Sequence, residues 1–242
     1  MKRVFPFIVA IATLSLLGCD SAQPSKSAKA TPAPAAKPEP SPAQSVVPEK
    51  PKEAPEATEP EMVLFNGKDM GQWVAADYVE GGKVLLKDGT IVIEKGNDMT
   101  GIKWTGPLMR MNYELTLEAI RVEGEDFFCG LTFPYGKDPC TLICGGWGGS
   151  LVGLSNIDYY DAANNQTSTS RSFDNGKWYP IRLRITPAKI EAWIDNDKVV
   201  DFETTDHKIG IRFEVTPCKP LGIATWRTSG AVRNIKVVRI TP

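Results

Sequence analysis

The chain has 242 residues, a formal net charge of −1 at neutral pH and a hydrophobic content of 42%. The near-zero charge excludes a general electrostatic attraction to nucleic acids or to anionic membrane surfaces, so nucleic acid is not an expected partner. The length and composition are those of a globular protein with one or two domains.

The first 18 residues have the pattern of a bacterial lipoprotein signal peptide. A short basic segment at residues 1–3 precedes a mostly apolar run at residues 4–17. This run is too short to span a bilayer core of about 30 Å. It is followed by Cys19 in the sequence Leu-Leu-Gly-Cys, which resembles the lipobox that precedes a lipid-modified cysteine. We therefore expect cleavage before Cys19 and lipidation of its thiol; an ordinary secretory signal with a coincidental cysteine is the alternative.

Lipidation at Cys19 predicts a protein of the cell envelope. The lipid anchors the mature chain to a membrane without spanning it, so the membrane is an expected partner. The rest of the chain then lies outside the cytoplasm, where disulfides persist. The sequence leaves open whether the inner or the outer membrane holds the anchor.

Residues 19–60 are predicted to be the lipidated cysteine followed by a disordered linker. The segment is rich in Ala, Pro, Lys, Glu and Ser and has almost no large apolar side chain, so it cannot bury enough surface to fold. Its prolines favour an extended, semi-rigid tether. From residue 61 the composition changes, and residues 61–242, about 180 in number, are long enough for one sizeable core.

Short runs of alternating apolar and polar residues, separated by turn residues, fill this second part of the chain. Such runs predict an all-β sandwich of two antiparallel sheets. The first pair flanks the sequence Lys-Asp-Gly-Thr at residues 87–90, which is typical of a hairpin. No stretch shows a convincing helical period. The predicted strands are residues 84–86, 91–93, 113–119, 127–133, 181–185, 190–195, 199–202, 209–213, 221–225 and 232–240.

A glycine cluster at residues 145–149, with Trp147 at its centre, joins two of the apolar runs. It leads to a polar loop, residues 156–165, that contains Tyr159 and Tyr160 between two aspartates. Glycine lets a backbone or a ligand approach closely. Aromatic faces beside carboxylates and amides suit a sugar, so we predict that these three aromatic residues bind substrate. A β-bulge followed by an ordinary loop is the structural alternative.

The alternation also predicts a polar, concave sheet face. Arg182, Arg184, Glu191 and Trp193 fall on the polar side of two consecutive strands, and Glu114 falls on the polar side of an earlier one. We predict that the two arginines and the tryptophan contact substrate on this face. The alternative is a solvated outer face on which a loop covers the tryptophan.

Four cysteines remain after the predicted lipid attachment site. If the strands on either side of a turn at Gly136 form a hairpin, Cys129 faces Cys144 directly, at a Cα separation of about 4.5–5.5 Å that suits a disulfide. We predict that bond, with Cys140 and Cys218 as a second pair. Four buried free thiols are the alternative.

We expect no cofactor. The chain has no Cys-x-x-Cys pair, and its single histidine, His207, lies in a polar turn. A zinc site and a histidine-based catalytic triad are therefore not expected. A bound calcium ion is the one alternative to the absence of a cofactor. Hard oxygen ligands are close together in the sequence at Asp158, Asp161 and Asn164, although their spacing matches no defined calcium loop.

Several segments resemble the 3-keto-disaccharide hydrolase domain family. Residues 64–73, Leu-Phe-Asn-Gly-Lys-Asp-Met-Gly-Gln-Trp, resemble the opening motif of that family, and the resemblance extends from residue 62 to residue 240. It implies a concanavalin A-like jelly roll and hydrolysis of glycosidic bonds in sugars oxidised at C3. Residues similar to later strands of the family are 112–118, 177–179, 190–195, 222–226 and 232–237.

The middle of the chain differs from this family. Many members have an Asn-Ser-Gly-Ile segment and then a Glu-x-Gln strand that leads to an aspartate. Here the corresponding places are residues 125–131 and 151–154, which lack the Glu-x-Gln pattern. The resemblance implies that Asp158 is the counterpart of the family's aspartate.

Two functional hypotheses follow. A glycoside hydrolase needs a proton donor and a base or nucleophile about 5–10 Å apart, and the candidates are Asp158, Asp161 and Glu191, with Glu114 in reserve. The alternative is a non-catalytic module that binds glycan or cell wall, or an envelope scaffold that binds protein through the same face. In each case a monomer is expected, and for the first two the partner is a glycan or small saccharide.

Overall fold

The computed structural model describes residues 61–241. The segments in which apolar and polar residues alternate form strands of two antiparallel sheets. The predicted all-β sandwich is confirmed. The predictions for the signal peptide, for Cys19 and for the linker lie outside the described residues. No helix within residues 61–241 is long and apolar enough to cross a membrane.

The described chain is mainly strands joined by turns and loops, with one short 3₁₀ helix. One tight turn, here called the glycine turn, is Gly146–Gly149, and the 3₁₀ helix, η1, is Phe213–Cys218. The strands are β1 (Met62–Phe65), β2 (Trp73–Ala75), β3 (Val84–Lys87), β4 (Thr90–Ile93), β5 (Met99–Trp104), β6 (Tyr113–Glu123), β7 (Cys129–Tyr135), β8 (Asp138–Gly145), β9 (Leu151–Ser155), β10 (Thr169–Ser170), β11 (Trp178–Ile185), β12 (Lys189–Ile194), β13 (Asp197–Glu203), β14 (Gly222–Trp226) and β15 (Ser229–Arg239).

The strands form an eight-stranded sheet, called sheet A, and a seven-stranded sheet, called sheet B. The order in sheet A is β13-β12-β11-β6-β15-β4-β3, and β1 also pairs with β15. The order in sheet B is β10-β9-β8-β7-β14-β5-β2. Since β6 pairs with β15 and β7 pairs with β14, distant parts of the sequence meet at the centre of each sheet.

The main hydrophobic core lies between the two sheets. Tyr113, Leu115 and Leu117 of β6 are buried toward it, whereas the residues between them are half-buried on the outer side. Leu142 of β8 is fully buried toward the same core. Burying one such side chain stabilises the fold by about 1.5–3 kcal/mol, so the alternation fixes which side chains of each strand point outward.

Sheet B is covered on both faces near its centre. Met99 of β5, Ile143 of β8 and Ala224 of β14 point away from the main core and pack with Val215 of η1 in a second cluster. Strands β7 and β8 are therefore buried on both sides, which explains their nearly continuous apolar sequences. The strand predicted at residues 209–213 is wrong, because this segment leads into η1 instead.

The cysteine register was predicted correctly, but the disulfides were not. Cys129 is directly opposite Cys144 in the ladder of β7 and β8, which turns at Gly136 as expected. All four cysteines of the described chain are nevertheless free thiols, and all are buried. The predicted bond between Cys129 and Cys144 is therefore absent from the structure of residues 61–241.

The second predicted disulfide is wrong for a topological reason. Cys140 belongs to the main core between the sheets, whereas Cys218 belongs to the second cluster on the outer face of sheet B. The sheet itself separates the two side chains. The sulfur of Cys218 instead lies 3.3 Å from the hydroxyl of Tyr78.

Candidate functional site

A cavity of about 240 Å³ opens on the outer face of sheet B, next to the glycine turn and η1. Its lining includes Thr141 and Ile143 of β8 and Ser155 of β9, on the side of their strands that points away from the main core. The Thr141 hydroxyl lies 3.0 Å from that of Thr132, and the Ser155 hydroxyl donates to Asn156 Oδ1 at 2.9 Å. The floor therefore offers hydroxyl groups between apolar side chains.

Aromatic side chains form much of the cavity wall. Phe127, Trp147 and Trp226 line it. Trp147 is 45% exposed at the rim, and its ring centroid lies 6.5 Å from that of Phe127. Half-exposed tryptophan rings provide flat apolar surfaces with a polar edge, which suit a ligand that is itself apolar on one face and polar around its rim.

Trp147 reaches the rim because the glycine turn has an unusual backbone. Its φ is 48°, and the next two residues, Gly148 and Gly149, have φ of 91° and 106°. A positive φ is easy for glycine and uncommon for tryptophan. Asp126 stabilises this conformation, because its carboxylate accepts hydrogen bonds from the backbone amides of Trp147 and Gly148, both at 3.1 Å, and of Phe127 at 2.7 Å.

A buried cation holds the same turn from the other side. Arg121 is only 5% exposed, and its guanidinium donates to the carbonyls of Gly149 at 2.8 Å, Gly145 at 3.4 Å and Phe173 at 3.2 Å. Burial lowers the pKa of Arg121, but a guanidinium stays charged at neutral pH. Arg121 thus binds carbonyl groups of the turn, and Asp126 binds amide groups of the same turn. Together these contacts fix the position of Trp147.

Arg212 supplies the positive charge of the cavity wall. Its Nη1 lies 3.2 Å from Asp161 Oδ2, its Nε lies 3.2 Å from one oxygen of Glu214, and its Nη2 bonds to the other. The hydrogen bonds to Glu214 are the main cause that raises the pKa of Arg212. Asp161 also accepts from Ala163 N and from Asn164 Nδ2. One cation between two carboxylates can bind several hydroxyl groups.

Asp158, a predicted catalytic residue, does not line the cavity. Its carboxylate accepts from the backbone amide of Lys208 at 2.8 Å and lies 2.6 Å from Nδ1 of His207. The backbone bond from Lys208 is the main cause that lowers the pKa of Asp158, followed by the bond to His207. Asp158 thus joins two loops, and the exposed Tyr159 and Tyr160 follow it. Asp158 and Asp161 do not face each other as an acid–base pair, since each is engaged with different partners.

The predicted substrate contacts Arg182 and Trp193 lie on the other sheet. Strands β11 and β12 belong to sheet A, whereas the cavity lies on sheet B. The guanidinium carbon of Arg182 lies 3.6 Å from the ring centroid of Trp193, and the ammonium of Lys198 lies 5.0 Å from it. These two cations cover the ring of Trp193, so its face packs against other side chains of the protein and is not free to stack on a substrate.

The remaining residues of the predicted polar face also belong to sheet A. Glu191 pairs with Lys198 at 2.6 Å, and Glu114 pairs with Arg182 at 3.0 Å. Arg184 lies on the same strand, β11, with one side-chain nitrogen buried and unpaired among the described residues. The structure therefore forms an ion-pair network here and does not bring these residues to the cavity.

Of the residues that line the cavity, the sequence interpretation predicted only Trp147; those it missed include Asp126, Arg212, Glu214 and Trp226. Asp126 stood in the segment that differs from the family, and Arg212 fell in the wrongly predicted strand. A signal was present in the sequence Arg-Phe-Glu at residues 212–214, because opposite charges that flank a phenylalanine are unusual in a buried strand. Within the described range, no group of three His, Cys, Asp or Glu side chains is arranged to hold a metal ion.

The family model described as the 3-keto-alpha-glucoside-1,2-lyase-like domain matches residues 60–238. The chain belongs to this family. The match confirms the family resemblance that the sequence showed. The family description names a lyase, whereas the sequence resemblance implied hydrolysis.

Solved structures share the fold at low sequence identity. The Crh5 transglycosylase in complex with NAG has a TM-score of 0.51 at 14% identity, covering 77% of this chain and 85% of that chain. The laminarinase from Flavobacterium sp. UMI-01 has a TM-score of 0.50 at 11% identity, covering 75% and 99%. This likeness concerns the fold alone, and it confirms the jelly-roll prediction. No curated protein gave a significant match.

Proposed function

We propose that this protein binds a glycoside in the cavity on sheet B and cleaves glycosides that are oxidised at C3. The proposal depends mainly on the arrangement of side chains at the cavity. Trp147 and Trp226 line it, and Arg212 in its wall forms ion pairs with Asp161 and Glu214. The indole faces can stack on the apolar face of a pyranose ring. The charged groups can bind its hydroxyl and carbonyl oxygens.

A ketone at C3 makes glycosidic cleavage by elimination accessible. It acidifies the hydrogen on C2, so a base removes that proton, and the resulting enolate expels the C1 substituent, which takes up a proton. Glu214 is the candidate base among the carboxylates that line the cavity, because one side chain, Arg212, binds its oxygens, whereas three backbone amides bind those of Asp126. Arg212, beside Glu214, can stabilise the enolate oxygen. The lyase description of the family supports this route.

A non-catalytic glycan-binding module is the second candidate. It is favoured by the observation that Asp126, Asp161 and Glu214 all have hydrogen-bond partners in the structure. A paired carboxylate still accepts a hydroxyl hydrogen bond, but it must lose a partner before it acts as a base. Binding without turnover is therefore compatible with the same geometry.

Incubation of the purified protein with 3-keto-glucosides and with the unoxidised glucosides separates the two candidates. We expect release of the aglycone from the oxidised substrates only, and a loss of rate of at least about a hundredfold in Glu214→Gln. Glu191→Gln, on sheet A, is the matched control and keeps full activity. Binding of either substrate without release supports the module instead.

We further propose that the protein is a lipoprotein of the cell envelope, attached to a membrane through Cys19. The support is the sequence of residues 1–19, an apolar segment that ends in a lipobox-like motif. We expect the wild-type protein to incorporate radiolabelled fatty acid and to sediment with membranes. Cys19→Ser is expected to lose both properties; membrane association and label that persist in this variant contradict the proposal.

A further inference from the structure

Four aromatic side chains of residues 61–241 are exposed, and one of them, Trp147, lines the cavity. Trp147 is 45% exposed, Tyr159 76%, Tyr160 60% and Phe213 82%. They lie on the glycine turn, on the loop of residues 156–165 and at the start of η1. All other Phe, Tyr and Trp side chains in the described range are buried or half-buried. Exposed aromatic residues collected on one face indicate an interaction site.

Tyr160 and Phe213 are tied to the cavity wall through one ion pair. Tyr160 immediately precedes Asp161, and Phe213 immediately follows Arg212. Asp161 and Arg212 are joined at 3.2 Å, and Arg212 lines the cavity. The two exposed rings therefore belong to direct chain neighbours of the charged pair, and neither ring lines the cavity itself.

The fold keeps the tyrosines exposed at a cost in backbone free energy. Ile157 and Tyr160 exchange two backbone hydrogen bonds, at 3.0 and 2.8 Å, around a two-residue turn. Both central residues, Asp158 and Tyr159, have a positive φ, of 50° and 72°. Residues other than glycine rarely adopt this conformation. The bond from Lys208 N to Asp158 holds the turn in place, so the display of these rings is a built feature.

The cavity itself is small. Its volume of about 240 Å³ is below the roughly 300–1,000 Å³ of pockets that enclose a drug-sized ligand. It is therefore suited to one sugar ring, and the remainder of a longer saccharide lies outside the cavity. The charges of Asp161 and Arg212 between the aromatic residues fit a ligand with many hydroxyl groups better than an apolar surface.

We propose that Tyr160 and Phe213 form a second sugar-binding subsite, and that the ligand of this protein is an oligosaccharide. One ring occupies the cavity beside Trp147, and the next rings stack on the two exposed aromatic side chains. This inference rests on the proposed function, because it extends the same site along the face of sheet B.

The test is the dependence of affinity on chain length. The full chain, purified in detergent, is applied to a glycan array that carries each sugar type in lengths of one to six units, and the recognised series is then titrated by calorimetry. We expect affinity to rise at least about tenfold between one and three units, which corresponds to burying one aromatic side chain against the ligand. Circular dichroism confirms that each variant is folded.

Variants locate the gain in affinity. Phe213→Ala and Tyr160→Ala are each expected to lower trisaccharide affinity about fivefold more than monosaccharide affinity. Trp147→Ala lowers both, and Leu86→Ala, which removes an exposed apolar side chain from β3 of sheet A, lowers neither. The second subsite is overturned if longer saccharides bind no more tightly than the monosaccharide, or if the variants lose the same factor of affinity at every saccharide length. Either result leaves the proposed function intact. Absence of binding to every saccharide overturns the second subsite, whereas the proposed function is decided separately by the release of aglycone from 3-keto-glucosides.

Discussion

At the scale of single residues, Asp126 determines the position of Trp147. Its carboxylate accepts the backbone amides of Phe127, Trp147 and Gly148. In Asp126→Ala these donors lose their acceptor, which we expect to cost about 1–3 kcal/mol of unfolding free energy. The indole is then no longer held at the rim, so glycoside affinity is expected to fall at least about tenfold. Urea unfolding and calorimetric titration measure the two effects.

A matched control separates the stability effect from the binding effect. Asp69 accepts the amide of Gly71 at 2.8 Å in an exposed turn that does not line the cavity. Asp69→Ala is expected to lower stability modestly and to leave glycoside affinity unchanged. Unchanged affinity in Asp126→Ala would show that the glycine turn does not position the tryptophan for binding.

Some residues of the site could be predicted from sequence and others could not. Trp147 was predicted because an aromatic residue among glycines is visible locally, whereas Tyr159 and Tyr160, predicted for a similar reason, do not line the cavity. The roles of Asp126 and Arg212 depend on loops that meet across sheet B. Such contacts join residues far apart in the chain, and residue spacing gives no information about them.

At the scale of elements, local patterns predicted strands well where only one face is buried. Strands β6, β11 and β12 alternate as expected, with Leu115 and Leu183 inward and Arg182 outward. Strands β7 and β8 are apolar on both sides because η1 and nearby loops cover the outer face of sheet B. Residues 209–213 resembled a strand because Ile209 is buried in the main core and Ile211 packs against the second cluster, whereas Phe213 is exposed. The two isoleucines are apolar because they pack against other elements, although the segment is not a strand of either sheet.

The burial of β8 and η1 also controls the chemistry of their cysteines. Burial raises the pKa of Cys140 and of Cys218 from 9.0 to about 12. Folding therefore favours the protonated thiols: this contribution to stability is complete below about pH 9 and is lost as the pH rises toward 12. We expect thiol reagents at pH 8 to label these cysteines only after unfolding. We also expect the unfolding free energy to decrease between pH 8.5 and about 10.

The control for this pH dependence is the double variant Cys140→Ala with Cys218→Ala. It lacks both thiols but keeps small apolar side chains in their place, so its unfolding free energy should decrease less over the same pH range. Tyr78 and Tyr113 also have raised pKa values, mainly because of burial and in part because of Cys218 and Cys140. An unfolded tyrosine titrates near pH 10, so the two proteins are compared below that pH, where the tyrosines contribute little. Equal slopes in the two proteins would contradict the assignment to the cysteines.

At the scale of the whole molecule, the two outer faces have different roles. The outer face of sheet A carries ion pairs in which Arg182 covers Trp193. The outer face of sheet B carries the cavity, with Trp147 and Arg212 in its wall. Alternation indicates which side of a strand is polar, but it does not indicate which sheet the strand joins. For this reason the sequence placed polar residues of both sheets in one predicted site.

The central claim is that the cavity on sheet B, and not the polar face of sheet A, binds the glycoside. The most direct test follows the indole N–H signals of the six tryptophans by NMR, while the slow variant Glu214→Gln is titrated with a 3-keto-glucoside. The account predicts that the signals of Trp147 and Trp226 shift and saturate together, while those of Trp178 and Trp193 stay in place. Shifts confined to Trp178 and Trp193 would contradict it.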